Sequence, residues 1–511
     1  MSASLLDRPE STVAPAMASR LTLFVALIFG VAAALLSFLG SWIPSLWGDE
    51  VTSVLSAERS LPSLFRMLGH VDAVHGTYYL FLHFWVDIFG ASPVSVRFPS
   101  AIAVGITVVG VVLLGTRLST PRAGVFAGVI CVVLPRITYT GQEARSYAFS
   151  VACAVWLTLL LIRLISDRSP KRRYWILYTF GIAVSSYVFL FSLLLMVAHF
   201  VTVVAMHRRT LTIRWAKALA TALVLALPVI IYGVAERGQI AFLANRSAAT
   251  WNSVTVGQWF GSSLCAEVCW VLIAAAIIWS LRQWRRTRRS AIAGSLEASA
   301  PDRPNGPLLA TVWLLAPPAI LLTVNFVDPI YSSRYLTFAT PAAAILIGLF
   351  LAQIRPKWIA IPIAAAVVAA SAPNYFAQRT PYAENASDWA ADAAVIHAHA
   401  RAGDGILFDE TINPSKRPRL GMRAYPAAFV GLKDVALKTP WWATNNWFDA
   451  ISPLADVSGQ LNGVTTVWLI EYRAAGGKAD TYDRSTLATL GYVITATYHE
   501  HSSVIFEMKR P

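Results

Sequence analysis

Acidic residues are scarce in the first 373 positions of this 511-residue chain, which hold 14 of its 28 Asp and Glu. Three of them stand where carboxylates could do chemistry. Asp49 and Glu50 follow one another in Trp47-Gly48-Asp49-Glu50, just after a long apolar run. Glu143 lies in Gly141-Gln142-Glu143-Ala144-Arg145, a segment too short to drift from the apolar runs on either side of it. A carboxylate within hydrogen-bond reach of a hydroxyl can serve as its general base. Guanidinium groups complement such a site, because their fork gives a phosphate two parallel hydrogen bonds. Arg97, Arg136, Arg145 and Arg334 all stand at or near the ends of apolar runs. Anchoring among lipid headgroups is the plain alternative for Arg97 and Arg136. A local clasp with Asp328 is the plain alternative for Arg334. An unpaired carboxylate beside a bilayer is costly, so two acidic sites on neighbouring loops suggest one shared cavity.

The elements that must position these groups are membrane helices. The chain is 56% hydrophobic and 14% charged, against about a quarter charged in soluble proteins, and its mean hydropathy is +0.55. A soluble enzyme, a disordered chain and a nucleic-acid-binding domain are excluded on these grounds. A spanning helix needs about 20 apolar residues. Candidates lie at Leu21–Trp42, Arg97–Gly115, Gly124–Ile137, Tyr147–Ile165, Lys217–Val234, Trp259–Leu281, Leu308–Val327, Thr337–Ile354 and Trp358–Ala372. The run Tyr174–Met206 suits a hairpin of two helices, which makes eleven spans. Thr77–Phe89 is too short to cross and is expected to lie in the interface.

The net charge of +14 sits in clusters between these runs. With the N-terminus in the cytoplasm, the expected cytoplasmic segments carry 21 basic residues and the outer side, up to residue 373, carries eight. That asymmetry sets the orientation and places the C-terminus outside. Residues 1–20 are expected to form a disordered cytoplasmic tail, and the first span to be a retained anchor rather than a signal peptide. Residues 21–373 form the transmembrane domain, with a flexible cytoplasmic loop at 283–307. From residue 374 the composition changes, and 374–511 is expected to be an α/β domain outside the membrane. It has a helix at Asp388–Arg401 and strands at Gly405–Phe408, Val464–Ile470, Tyr492–Tyr498 and Ser503–Phe506.

Other residue groups carry less. Cys265 and Cys269 are expected to pack rather than pair. The nine histidines show no metal-binding spacing. Trp441-Trp442 with Trp447 and Phe448 could form an aromatic sugar platform, a membrane rest or part of a core.

The order of motifs carries a resemblance. Trp47-Gly48-Asp49-Glu50 is followed by His75-Gly76-Thr77-Tyr78-Tyr79-Leu80 and Arg97-Phe98-Pro99-Ser100. Then come Leu134-Pro135-Arg136, Gly141-Gln142-Glu143-Ala144-Arg145 and Ser333-Arg334-Tyr335-Leu336. Over roughly residues 21–373 this resembles the GT-C superfamily of polyprenyl-phosphate-sugar glycosyltransferases, most of all the protein O-mannosyltransferases and the aminoarabinose transferase that modifies lipid A. The resemblance implies a catalytic role for Asp49, with Glu50 and Glu143 as further acids. It implies donor-phosphate binding by Arg334, Tyr335 and Arg145, and substrate binding by His75, Tyr78 and Trp47. The segment after His75 lacks the two prolines that relatives usually have. The implied function is transfer of a sugar, with mannose the first expectation. The donor is a polyprenyl phosphate and the acceptor a hydroxyl of a glycan, lipoglycan or protein at the outer face of the plasma membrane. No cofactor is expected with certainty; a divalent cation (Mg or Mn) on Asp49-Glu50 is one option. No nucleic acid is expected as a partner. A transporter or lipid-linked sugar flippase is the competing reading, but transporters favour repeats and mid-membrane charges, whereas no repeat is visible and the acids gather on outer loops.

Overall fold

The computed structural model describes residues 13–167, 169–245, 248–292, 304–473, 479 and 481–511. Arg8, Arg168, Arg246 and Arg303, which enter the charge count above, lie outside them.

Helix starts follow the local chemistry. Ser92, Thr120 and Asn305 each cap a helix with a side-chain oxygen, accepting from the backbone N–H three residues on, and each is followed by proline in the first turn. Eight helices among the described residues are long and apolar enough to cross a membrane. They match eight of the eleven expected spans. In chain order the helices are α1 (Val13–Phe38), α2 (Gly48–Ala57), α3 (Leu61–Leu68), α4 (Gly76–Phe89), α5 (Pro93–Leu118), α6 (Pro121–Val133), α7 (Pro135–Thr140) and α8 (Tyr147–Ser166). Then follow α9 (Arg172–Val188), α10 (Leu195–Val204), α11 (Arg209–Ala235), α12 (Ser263–Ile292), α13 (Gly306–Asn325), α14 (Thr340–Leu351) and α15 (Ala360–Ala377). The three expected spans not among the eight are the shorter helices α6, α9 and α10. The hairpin breaks at Phe189, whose extended backbone separates α9 from a tight turn, Leu190–Leu194, that leads into α10.

Close helix packing rests on small residues. A Cβ on Gly105 would lie 2.7 Å from the Gly30 carbonyl oxygen, so α5 and α1 cross backbone to backbone. Between α8, α9, α10 and α11 a polar knot replaces apolar packing. His199 contacts the Tyr178 hydroxyl at 2.7 Å and Thr158 at 3.0 Å, and Trp215 donates to Tyr178 at 3.0 Å. Helix α4 packs on α2 and leaves Phe81, Phe84 and Ile88 exposed along one face, the pattern of a helix resting in the interface.

Three expectations are corrected. Helix α1 begins at Val13, so residues 13–19 are helical and lead into the span Arg20–Phe38; residues 1–12 lie outside the described residues. Helix α12 runs to Ile292, so the first ten residues of the expected loop 283–307 are helical, and 293–303 lie outside the described residues. The composition break at 374 falls inside α15, because the helix keeps its backbone hydrogen bonds to Ala377 whatever the side chains.

After α15 the chain forms a mixed sheet. Helix α16 (Trp389–His399) precedes β1 (Gly405–Phe408); α17 (Arg419–Ala424), β2 (Lys433–Asp434), β3 (Leu437–Thr439), β4 (Ala450–Ile451), β5 (Thr466–Tyr472), β6 (Val493–His499) and β7 (Ser503–Lys509) follow. The sheet order is β2-β1-β5-β7-β6, parallel from β2 to β5 and antiparallel beyond, with β3 and β4 as a separate pair. The four expected strands are present; β2, β3 and β4 are too short to leave a periodic signal.

Candidate active site

Asp49 and Glu50 occupy the first turn of α2, where acidic groups face the positive end of the helix dipole. Neighbours on a helix point about 100° apart, and these two part company. Glu50 is fully buried and forms a two-point bridge with Arg97, at 2.7 and 2.5 Å. It also accepts from the Ala144 backbone N–H at 2.9 Å, which ties the loop before α8 to α2. Arg97 spends its other donors on the Ser41, Pro44 and Ser45 carbonyls. Glu50, expected as a further acid of the site, is thus tied to Arg97 and Ala144 and is not among the residues that line the cavity.

Asp49 faces a cavity of about 460 Å³. Its Oδ2 accepts from Arg334 Nη1 at 2.7 Å, with both side chains a quarter exposed. Its Oδ1 has no hydrogen-bond partner among the described residues. Burial would raise the Asp49 carboxyl, but Arg334 and Arg145 outweigh it and hold the group below its ordinary value. Arg334 sits on a tight helical turn, Ser333–Ala339, that leads into α14. Its partner is Asp49, so the Asp328 clasp is corrected. The guanidinium lies over the Trp47 ring at 4.9 Å. Its remaining N–H donors have no partner among the described residues. Tyr335 lines the same cavity and stacks on Phe191 at 5.0 Å, so the turn between α9 and α10 supplies one wall.

Arg145 lies behind Asp49. It donates to the Asp49 carbonyl at 3.3 Å, Ser53 Oγ at 3.2 Å and the Tyr79 hydroxyl at 3.3 Å. Its Nη2 lies 3.2 Å from His75 Nε2. Burial, with Arg145 adding to it, pushes His75 down to about 4, so the ring is neutral at physiological pH. Tyr79 in turn donates to Asp72, which adopts a left-handed backbone with φ of 61° and also lines the cavity. Asp72, Tyr147 and Phe189 were not singled out from the sequence. The signal for Asp72 was its place three residues before His75 on the same outer loop.

Two other expected site residues, Glu143 and Tyr78, are not brought to the cavity wall. Glu143 is 1% exposed and does not line the cavity. Its backbone carbonyl accepts from Ser100 at 2.7 Å, and burial pushes its carboxyl well up. Tyr78 is 4% exposed and packs edge-on against Phe149, with its hydroxyl buried and unpartnered. Both side chains point into packing because the elements carrying them are wedged against α5 and α8. Arg136 donates to the Gly257 and Gln258 carbonyls and ties α7 to the segment before α12. Trp47, His75, Arg145, Arg334 and Tyr335 do converge on the cavity with Asp49.

The residues present do not fit a divalent cation at Asp49-Glu50. Glu50 is saturated by Arg97, and Asp49 lies against two guanidinium groups. No group of three or more His, Cys, Asp or Glu among the described residues could hold a metal ion. Cys265 and Cys269 are both free and buried.

The C-terminal region closes the cavity. Asn385, Ser415, Lys416, Trp447 and Phe448 line it together with Arg334. A Cβ on Gly48 would lie 2.1 Å from the Ser415 carbonyl oxygen, so the turn carrying Ser415 rests on the backbone that presents Asp49. Arg59 is fully buried and donates to the Trp441, Thr444 and Asn446 carbonyls, which fixes the aromatic loop onto α3. Trp441 is thus core, while Trp447 and Phe448 face the cavity.

Known proteins share this architecture. A model of the dolichyl-phosphate-mannose-protein mannosyltransferase family matches residues 77–232. The crystal structure of ArnT from Cupriavidus metallidurans bound to undecaprenyl phosphate superposes with a TM-score of 0.57 at 12% identity, covering 94% of this chain and 97% of that one. The apo state of the same protein gives 0.57 at 11% identity with the same coverage. The archaeal oligosaccharyltransferase AglB from Archaeoglobus fulgidus gives 0.49 at 10% identity, over 88% of this chain and 69% of that one. No curated protein sequence matches the chain. The chain is thus similar over residues 77–232 to the dolichyl-phosphate-mannose-protein mannosyltransferase family, and over nearly its whole length its fold is similar to that of ArnT.

Proposed function

We propose that the chain moves a sugar, mannose as the first candidate, from a polyprenyl phosphate to a hydroxyl of a cell-envelope acceptor at the outer face of the plasma membrane. The observation that carries this reading is the Asp49–Arg334 pair inside a cavity built by outer loops. A sugar on a lipid phosphate has a leaving group that is already anionic, so the site needs a cation for that phosphate more than a general acid. Arg334 supplies it through the donors Asp49 leaves unused. The undecaprenyl phosphate in the ArnT structure supports a ligand of this class. Asp49 Oδ1 is open to accept from an acceptor hydroxyl. A carboxylate held ionised by two arginines orients that hydroxyl first and takes its proton late, once the bond to the sugar is forming. Arg145 keeps Asp49 in place from behind, and neutral His75 leaves the positive charge concentrated at Arg334. The Asp49-Glu50 geometry supports a reaction independent of divalent cations.

The test is purified protein supplied with a panel of polyprenyl-phospho-sugars and envelope glycans, lipoglycans and peptides. Transfer from one donor, unaffected by EDTA and lost in Asp49→Asn, is expected. Transfer that ignores Asp49 would overturn the assignment. The orientation and the domain division at the end of α15 are tested together by a reporter fused after Pro511, expected to be active only outside the cytoplasm.

A further inference from the structure

We infer that the end of the cavity built by the C-terminal region is an acceptor subsite shaped for a carbohydrate chain. This deepens, and rests on, the transferase reading above. Two parts of the chain line the cavity with different chemistry. The segments around α9 and α11 contribute Leu190, Phe191, Ile240 and Phe242, an apolar surface that suits a lipid. Trp447 and Phe448 present aromatic surface beside the short polar side chains of Asn385 and Ser415. Flat aromatic faces beside small hydrogen-bonding groups match a sugar ring, whose C–H faces are apolar and whose edge carries hydroxyls.

The backbone adds a second observation. Asn385 and Ala386 take successive left-handed conformations, with φ of 51° and 58°, which L residues adopt only at a cost. Ser502 Oγ donates to the Ala386 carbonyl at 2.8 Å and Ser387 Oγ to the Leu46 carbonyl at 2.7 Å, and these bonds hold the strained strap across the cavity. Such strain gathers where a surface must keep one shape for a ligand.

A peptide acceptor is disfavoured by the same geometry. An extended peptide gains affinity by adding a strand to a sheet edge, and the edge strands β2 and β6 contribute nothing to the cavity. The subsite is also next to the reacting group, since the Ser415 turn touches the backbone of Gly48, one residue before Asp49.

The experiment uses the full chain in detergent and saturation-transfer NMR. The probes are oligosaccharides of mannose, arabinose, galactose and N-acetylglucosamine, a Thr-rich peptide, and undecaprenyl phosphate measured in parallel. At least one oligosaccharide is expected to bind. Trp447→Ala should weaken it by about tenfold or more, and Trp447→Phe by less, with undecaprenyl phosphate binding kept in both as the sign of an intact fold. Peptide binding in place of oligosaccharide would overturn the inference. So would oligosaccharide binding untouched in both Trp447 variants, or none at all in protein that binds undecaprenyl phosphate. Oligosaccharide binding without undecaprenyl phosphate binding would sink the donor assignment and leave the subsite standing. Binding of neither would remove both.

Discussion

Two ion pairs sit one residue apart in sequence and do opposite things. Arg97–Glu50 is sealed, with both side chains fully buried and Glu50 bonded at both oxygens. Arg334–Asp49 is a quarter exposed, joined by one hydrogen bond, and has spare donors on one side and a spare oxygen on the other. A saturated pair has nothing left to offer a ligand. A half-used pair is already desolvated and aligned, and it can exchange its partner for a phosphate or a hydroxyl. In the proposed reaction this difference supports architecture for Glu50 and chemistry for Asp49, although both are carboxylates on one helical turn.

The comparison can be broken most sharply at Asp49. Asp49→Asn keeps shape and removes the ionised oxygen, so turnover is expected to fall about 10²–10⁴-fold with the melting temperature nearly unchanged. The steady-state rate against the thermal melt checks it. Glu50→Ala should invert that pattern. It strands Arg97 in the interior, which costs about 3–5 kcal/mol of stability, and the loss should appear as poor folded yield and early unfolding in a denaturant titration. If Glu50→Ala folded well and lost only turnover, the division of labour drawn here would be wrong.

Arg334 comes next. Arg334→Ala should cost about 2–4 kcal/mol in transition-state stabilisation. Arg334→Lys should recover only part of this, because an ammonium lacks the fork. The check is kcat/KM for both variants beside undecaprenyl phosphate affinity.

The smallest effect is on pH. Glu143 and Glu384 are buried, and burial raises both carboxyls; Glu384 is held by Tyr139 at 2.6 Å. A raised acid contributes stability that is fully present below the ordinary carboxylate value and lost as pH climbs through its folded value. Asp49 has the opposite sign: its lowered value contributes stability above the ordinary carboxylate value that is lost as pH falls through the folded one. Melting temperature should therefore decline from mildly acidic to neutral pH, and Glu143→Gln should flatten that slope while Asp49→Asn does not.

Much of the membrane part was legible in the sequence because a bilayer imposes a long, one-dimensional rule. Eight of eleven expected spans appear as spanning helices, and the other three fall on shorter helices at the expected places. The short helix α4 and the four main strands of the C-terminal sheet were readable for the same reason, since period and length are properties of consecutive residues. Helix ends were less so, as α12 and α15 show, because a backbone ladder continues past a change in side-chain composition.

What the sequence by itself determined is the multi-span helical architecture and the group of loop residues from which a candidate site had to be drawn: Trp47, Asp49, His75, Arg145, Arg334 and Tyr335. It could not show which of Asp49, Glu50, Glu143, Tyr78 and Asp72 line the cavity. That depends on which carboxylate meets a buried arginine and which meets an open cavity, through packing between segments as far apart as Asp49 and Arg334. The tertiary structure alone decided that the Ser415 turn meets Gly48 and that Trp447 lines the cavity. No periodicity or motif records a contact made across so much chain, because its physical cause is the docking of one folded region on another.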